Sequence, residues 1–177
     1  MFSGIIDAIG RVSAVRQMPG GCELILRAAD YWRGVEPGAS IAVDGVCLTV
    51  TRLEGDDAHF DVIAETLRRS TLGRLRTGDG VNLQKSLKAG DAIDGHFVQG
   101  HVDAVATVAK VEQSERESIW WYTMEPEPMA YIIPKGSVAI DGISLTIADL
   151  QGDRFSTALI PTTLERTTLG GKRSEER

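Results

Sequence analysis

An internal repeat with a spacing of about 97 residues constrains the fold of this chain more than any other feature. The repeat consists of three pairs of similar segments in the same order: 4–12 with 100–108, 40–50 with 137–147, and 66–73 with 163–170. The central pair reads SIAVDGVCLTV and SVAIDGISLTI. Solenoid units are shorter, about 20–50 residues, so this spacing predicts a duplicated domain. We predict two homologous domains, residues 1–96 and 97–177.

Within each repeat the pattern is that of short β-strands. Segment 40–50 alternates apolar with small or polar residues, and Asp44-Gly45 interrupts it as a two-residue hairpin turn. Further short β-rich runs are 24–26, 60–63, 81–83, 120–124 and 132–133. Thr66 is placed to cap a short helix over 66–72, and the second repeat copies this helix at 163–169. We predict an all-β fold of two small six-stranded β-barrels in tandem, with a sandwich as the alternative.

The repeat also predicts that the second barrel lacks its last strand. Residues 77–84 (TGDGVNLQ) are typical of a turn and a closing strand, and their counterpart would fall at 174–181, past Arg177. Residues 172–177 (KRSEER) contain no strand-forming residue. Three explanations stay open: an open barrel, a strand supplied by another segment or subunit, or a shortened chain.

Charge and composition exclude several functional classes. The chain has 19 Lys and Arg against 25 Asp and Glu, for a net charge of −6, so it lacks the basic field that binds nucleic acid. Its apolar runs are far shorter than the ~20 residues that span a membrane, and residues 1–4 lack the features of a secretory signal. We expect Cys22 and Cys47 to be free thiols in a cytoplasmic protein.

Two histidines, His96 and His101, stand five positions apart at the junction of the repeats. On an extended segment this odd spacing points them to opposite faces, unless a bulge at Gly100 redirects one. A protein zinc site needs at least a third ligand, and no suitably spaced one is present, so we predict no metal site. The residues alone therefore favour ordinary solvent-edge side chains for these two histidines and for His59, which is flanked by Asp56 and Asp57.

Cys47 corresponds to Ser144 in the repeat, and Thr49 corresponds to Thr146. Cysteine and serine both donate a hydrogen bond, so each pair is either structural or faces a pocket. Lys135, just before the repeated strand, is either a surface lysine or a contact for an anion. Glycine-rich phosphate loops and a G-x-S-x-G elbow are absent from the sequence.

Six segments together resemble riboflavin synthase of the alpha-chain type: 1–6 (MFSGII), 43–50 (VDGVCLTV), 95–103 (GHFVQGHVD), 140–146 (IDGISLT), 159–164 (LIPTTL) and 167–169 (TTL). The resemblance extends from residue 1 to about residue 170. The same scaffold includes lumazine proteins, which bind the ligand without turnover. Those proteins lack much of the pattern formed by Cys47, His96 and His101, so the resemblance favours the enzyme.

The resemblance implies a dismutation that needs no cofactor. Two molecules of 6,7-dimethyl-8-ribityllumazine would exchange a four-carbon unit to give riboflavin and 5-amino-6-ribitylamino-uracil. Each barrel would bind one molecule, and the reacting pair would form between barrels of different subunits, so the expected partners are a small molecule and a second copy of the chain. A non-catalytic lumazine- or flavin-binding protein is the alternative.

The resemblance also implies the site residues. The N-terminal pocket would be formed by Gly4, Ile5, Ile6, Cys47, Leu48 and Thr49, closed by Asp61, Val62, Ile63, Ala64, Glu65, Thr66, Gly100, His101 and Val102, with Phe2 and Ser40 near the reacting rings. The C-terminal pocket would be formed by Lys135, Ser144, Leu145, Thr146, Leu159, Ile160, Pro161, Thr162, Thr163 and Leu164. The implied catalytic residues are Ser40 or Cys47 as nucleophile and His96 or His101 as base.

The chain departs from the family at its C-terminal end. Family members continue with a last strand that ends in an acidic residue near the site, and then with a helix that joins three chains. Residues 172–177 match neither feature. We therefore expect no helix-joined trimer and a second pocket that lacks one carboxylate.

Overall fold

The first half of the chain forms a closed six-stranded β-barrel in the computed structural model, which describes residues 1–114 and 117–174. Its strands are β1 (Ala8–Met18), β2 (Gly21–Arg27), β3 (Ser40–Val43), β4 (Val46–Glu54), β5 (Asp57–Ile63) and β6 (Gly80–Lys85). They follow one another around the barrel in the order β1-β2-β5-β4-β3-β6, all antiparallel. This confirms the predicted barrel and the Asp44-Gly45 turn.

The second half forms a five-stranded sheet of matching topology. Its strands are β7 (Thr107–Gln113), β8 (Ser118–Thr123), β9 (Ser137–Ile140), β10 (Ile143–Gln151) and β11 (Arg154–Leu159), in the order β7-β8-β11-β10-β9. Within the described residues no strand lies between β7 and β9, where β6 closes the first barrel. Up to residue 174, the second half therefore contains five strands, and β7 and β9 are its edge strands. Residues 175–177 of the predicted tail lie outside the described residues.

The two predicted helices exist, but their predicted bounds are wrong. The first, α1 (Ala64–Arg69), begins two residues before Thr66, and its N-cap is Ile63, which makes no side-chain hydrogen bond. It ends early because Ser70 is extended, and the Ser70 hydroxyl both donates to Thr66 O and accepts from Leu72 N. A 3₁₀ turn follows over Thr71–Arg74.

The second half contains a very short helix, α2 (Pro126–Met129), and then α3 (Pro161–Arg166), the counterpart of α1. The predicted strand at 132–133 is wrong, because α2 and a turn occupy this region and Ile132 N donates to Met129 O. No helix in the described part of the chain is long and apolar enough to cross a membrane.

The segments that precede β1 and β7 cross over to the opposite half. Ile6 packs against the core of the second sheet, and its counterpart Val102 packs against the core of the first barrel. Phe2 and Val98 exchange two backbone hydrogen bonds of 2.8 and 3.0 Å at the centre of this crossing. Each half is therefore completed by a segment of the other half.

The crossing corrects one prediction about the pockets. Gly4 O accepts a 2.7 Å hydrogen bond from Ser144 N, whereas Cys47 N donates at 2.9 Å to Gly100 O. The segment Gly4–Ile6 thus lies against the second half and not beside Cys47. Segment 100–102 takes that place in the first half.

The two Asp-Gly hairpin turns meet back to back between the halves. A Cβ on Gly45 would come within 2.6 Å of Gly142 N, so only glycine fits. The Asn82 side chain bridges the halves, donating to Asp141 O at 3.0 Å and accepting from Thr168 N at 2.8 Å. Burial, together with the nearby charge of Asp141, raises the pKa of Asp44 to about 8.

Candidate active site

The first candidate site is a gap between β4 and β5. These strands pair only from Val50–Phe60 to Glu54–Asp57 among the described residues, so Thr49 lies across from Asp61 without ladder pairing. Starting from the hydrogen-bonded pair Val43–Val46 at the two-residue turn, hydrogen-bonded and non-hydrogen-bonded pairs alternate along β3 and β4. Cys47 and Thr49 therefore belong to non-hydrogen-bonded pairs. This alternation points the backbone N–H and C=O of Cys47 and Thr49 away from β3, as the Cys47–Gly100 bond shows. One wall of the gap is therefore an open strand edge.

The opposite wall of the gap is the end of β5. The carbonyl of His59 points toward β4, because it accepts from Thr51 Oγ1 at 3.1 Å. Because the direction of the backbone N–H and C=O groups alternates along a strand, those of Asp61 and Ile63 also point toward β4. The side chain of Val62 is turned into the core, as is that of Leu48 on β4. The backbone groups of these two predicted residues point toward β3 and β2, so Leu48 and Val62 support the walls of the gap from the core side.

The second half contains an equivalent gap between β10 and β11. Pairing of these strands begins at Ile147–Thr157, which leaves Ser144–Thr146 facing the end of β11. Leu145 and Leu159 pack into the core, like Leu48 and Val62 in the first half. The isoleucines at the rims, Ile63 and Ile160, are 63% and 58% exposed and occupy equivalent positions. We call these gaps the first and second clefts.

Cys47 lies at the floor of the first cleft. It is half-buried and packs with Phe2, Ala42 and Val98. The Phe2 ring is fully buried beneath it, and half-buried Ser40 stands opposite Thr49 in the ladder. The side chain of His101 is exposed next to Gly100, at the edge of the cleft.

The remaining predicted residues of the first cleft belong to the turn from β5 into α1. Ala64 is exposed, Thr66 is half-buried, and the Glu65 carboxylate is ion-paired with Arg69 and Arg68. Hydrogen bonds from these two arginines lower the pKa of Glu65. The strand end and the helix start thus form a polar rim over the cleft.

The second cleft carries a different set of side chains. His96 Nδ1 lies 2.7 Å from Ser144 Oγ, and partial burial lowers the pKa of His96. Lys135 is exposed in the left-handed region with φ 63°, at the position of Gly38 (φ 92°) in the first half. The rim consists of Pro161, Thr162, Thr163 and Leu164 at the start of α3, of which Pro161 and Thr162 are exposed.

Other features found in the chain lie outside both clefts. His59 is not at the solvent edge: it is buried, and its Nδ1 lies 2.9 Å from Glu23 Oε1, a contact that lowers the pKa of Glu23. A cavity of about 510 Å³ lies between the β1–β2 hairpin and α1, lined in part by Cys22 and Leu67. Neither feature contains a residue of the predicted pockets other than Ala64 at the cavity rim.

The comparisons with known proteins agree with the duplicated architecture. Residues 3–85 and 99–177 each match the family model of the lumazine binding domain. The chain is 42% identical over 175 residues to riboflavin synthase of Escherichia coli (strain K12), covering 98% of this chain and 82% of the relative. It is 44% identical over 180 residues to riboflavin synthase of Chlamydia pneumoniae, covering 100% of this chain and 87% of that relative. This chain belongs to the riboflavin synthase family.

Solved structures with the same fold have lower sequence identity. A structure of LumP complexed with 6,7-dimethyl-8-(1'-D-ribityl) lumazine has a TM-score of 0.89 at 24% identity, covering 99% of this chain and 96% of that chain. LumP complexed with riboflavin gives a TM-score of 0.92 at 23% identity, with the same coverage. At this identity the structural similarity to LumP shows only that the fold is shared. The family assignment is based on the sequence similarity to the riboflavin synthases.

Two features of the clefts were missed by reasoning from the sequence. The exchange of segments 4–6 and 100–102 between the halves leaves no signal in either segment alone. The equivalence of Gly38 and Lys135 could have been found, because these positions are 97 residues apart, like the other repeated pairs.

Proposed function

We propose that this chain is a riboflavin synthase that converts two molecules of 6,7-dimethyl-8-ribityllumazine into riboflavin and 5-amino-6-ribitylamino-uracil. The observation that carries the proposal is the pair of equivalent clefts in one chain, one in each half. A reaction between two copies of one substrate needs two similar sites. Membership of the riboflavin synthase family supports the same assignment.

The open strand edges suit the lumazine ring. Its pyrimidinedione edge presents alternating carbonyl acceptors and an N–H donor, which complement the free backbone groups of Thr49 on one wall and Asp61 and Ile63 on the other. The flat ring would insert between β4 and β5 much as an added strand does. Thr146 and the end of β11 offer the equivalent edges in the second cleft.

The proposed reaction requires that the two lumazine molecules be held in contact, and it needs no external reagent. One lumazine loses a proton from its C7 methyl group, and the resulting carbanion attacks the second lumazine, which first accepts a nucleophile such as Cys47, Ser40 or water. His96 and His101 are the proposed proton carriers. Holding the two rings in contact can supply about 7–11 kcal/mol of the barrier.

The reacting pair is proposed to form between two chains. The first cleft of one copy would face the second cleft of another, which makes a homo-oligomer the active form. We also propose a cytoplasmic location, where the lumazine substrate and the reduced Cys22 and Cys47 would coexist.

Turnover of the lumazine tests the proposed function. The protein is incubated with 6,7-dimethyl-8-ribityllumazine, and products are separated by chromatography and followed by absorbance. The proposal expects one riboflavin and one diaminouracil for every two lumazines consumed. Tight binding of lumazine without either product would instead support a non-catalytic binding protein. The unpaired edges of β7 and β9 favour this alternative, because no strand among the described residues closes the second domain.

Replacing Cys47 separates a hydrogen-bonding role from a packing role. Cys47→Ser keeps a donor of similar size, so we expect its kcat to stay within about threefold of the original. Cys47→Ala removes the donor and should lower kcat by at least about tenfold. Cys22→Ser is the matched control, since Cys22 is the other free cysteine and its side chain is buried in the first core. Equal kcat in the serine and alanine variants at position 47 would contradict the prediction.

A further inference from the structure

Both clefts open at a β-bulge in one of their walls. The pairing of β4 with β5 shifts register between Val50 and Arg52, which leaves Thr51 as the extra residue. The pairing of β10 with β11 shifts in the same way and leaves Ala148, the counterpart of Thr51. A bulge bends its strand and commonly lies beside a functional site. The conformation at each bulge therefore sets the direction in which that wall of the cleft continues.

A side-chain hydrogen bond holds the first bulge against the opposite strand. Thr51 Oγ1 donates to the backbone carbonyl of His59 at 3.1 Å, which connects the bulge of β4 to β5. Ala148 has no hydroxyl, so the second bulge cannot form this bond. The two bulges are therefore alike in register and different in how they are held.

The side chain of His59 adds a second contact on the outer face of the same strands. Neighbouring Phe60 belongs to the core, so His59 points away from the core, yet its side chain is only 3% exposed. Its Nδ1 lies 2.9 Å from Glu23 Oε1 on β2 and 3.1 Å from the guanidinium of Arg52 on β4. Arg52 directly follows the bulge and lies 3.5 Å from Glu23. The cluster of Glu23, His59 and Arg52 thus joins three strands beside the bulge.

The second half has different side chains at the positions of this cluster. The counterparts of Glu23, Arg52 and His59 are Ile119, Asp149 and Ser156. The buried Ser156 Oγ has no hydrogen-bond partner among the described residues. Asp149 Oδ1 accepts a hydrogen bond from the backbone of the next residue on its own strand. The equivalent cluster is therefore not formed in the second half.

The contacts of Thr51 and His59 lie where the two walls of the first cleft begin. Thr49 stands two residues before Thr51 on β4, and Asp61 stands two residues after His59 on β5. At a rise of about 3.3 Å per residue, each wall residue is about 7 Å from the contact on its strand. Without these contacts, β4 would be free to continue its pairing with β5 past Val50 and close the gap.

We infer that Thr51 and His59 are positioning residues that hold the two walls of the first cleft apart at the width of a flat ring. They act through the bulge of β4 and the backbone of β5, without touching the ligand. The inference rests on the proposed function, because the ring is that of the lumazine substrate or the riboflavin product. The second cleft does not depend on equivalent residues.

Riboflavin titration followed by NMR tests the inference in each cleft separately. The backbone amide of Thr49 reports binding in the first cleft, and that of Thr146 reports binding in the second. Thr51→Val removes the hydroxyl, and His59→Ala removes the imidazole. We expect either variant to weaken riboflavin binding in the first cleft by about fivefold, the effect of losing one hydrogen bond. Binding in the second cleft should change by less than about twofold.

Conservative variants keep these contacts and should preserve binding. Thr51→Ser retains a hydroxyl, and His59→Asn places an amide N–H donor near the position of Nδ1. Both should bind riboflavin in the first cleft within about twofold of the unsubstituted protein. Ser156→Ala is the matched control, because it changes the position equivalent to His59 and should alter binding in neither cleft.

Urea unfolding of each variant separates positioning from stability. Affinities are compared where every variant is fully folded, so a purely structural role would lower the free energy of unfolding and leave affinity unchanged. Unchanged affinity of the first cleft in both Thr51→Val and His59→Ala, or equal weakening in both clefts, would overturn the inference. Binding in both clefts without turnover would overturn the proposed function alone, and no binding in the first cleft would overturn both.

Discussion

Gly100→Ala is expected to lower the free energy of unfolding by about 3 kcal/mol and to remove ligand binding from the first cleft. Gly100 has φ 89°, where an alanine costs about 1–2 kcal/mol. The new Cβ would also lie 2.5 Å from Cys47 Cβ and 2.9 Å from Cys47 N. Relieving that overlap costs about a further 1–3 kcal/mol and moves the crossing segment away from the cleft.

Gly90→Ala is the matched control for this variant. Gly90 has φ 96°, but nothing lies within 4 Å of the position that its Cβ would take. Its free energy of unfolding should fall only by the cost of placing an alanine at a positive φ, about 1 kcal/mol, and ligand binding should be unchanged. Urea unfolding of both variants measures the difference. Equal losses of stability in the two variants would show that the contact between Gly100 and Cys47 does not matter.

Asp44→Asn is expected to remove a large pH dependence of stability. An aspartate in the unfolded chain has a pKa near 3.8, while burial and the charge of Asp141 raise the pKa of folded Asp44 to about 8. The folded state therefore holds a proton that the unfolded state has released. Its stability is greatest below about pH 4, falls as the pH rises toward 8, and then levels off.

The charged groups around Asp44 set the size of this effect. Asp141 carries the like charge, Lys172 Nζ pairs with Asp141 at 3.0 Å, and Asn82 N donates to Asp44 Oδ1 at 2.7 Å. Asparagine keeps the acceptor but cannot ionise, so the variant should be more stable than the original protein at pH 9 by about 2 kcal/mol or more.

The check for Asp44→Asn is urea unfolding at pH 5 and at pH 9. The stability of the variant relative to the original protein should increase between pH 5 and pH 9. Asp153→Asn is the control, because the Asp153 side chain is 83% exposed and its replacement should have the same small effect at both pH values. A stability of the original protein that does not fall between pH 5 and pH 9 would contradict this account of the interface between the halves.

The duplicated fold was predictable because the repeated sequence segments are the same segments that form the strands. Alternating apolar residues and the Asp44-Gly45 turn define β3 and β4 locally. The same pattern recurs 97 residues later, so it predicts β9 and β10 as well. The helix bounds were not predictable in this way. Thr66 has the chemistry of a cap, but the chain enters α1 directly from β5 at Ile63, and Ser70 ends the helix.

The clefts were predictable only in part. The resemblance named residues that lie on the strands and turns around the two clefts, but it could not show that Leu48, Val62 and Leu159 turn their side chains into the cores. That outcome depends on which residues of β4, β5 and β11 pair across the sheet. The exchange of Gly4–Ile6 between the halves is likewise a long-range contact that no local pattern encodes.

Equilibrium titration with riboflavin tests the central claim most directly, namely that each half carries one ligand-binding cleft completed by the other half. The account predicts two molecules of riboflavin bound per chain, and one per chain in Gly100→Ala, which should keep only the second cleft. A single site in the unsubstituted protein that survives in Gly100→Ala, or no binding at all, would contradict it.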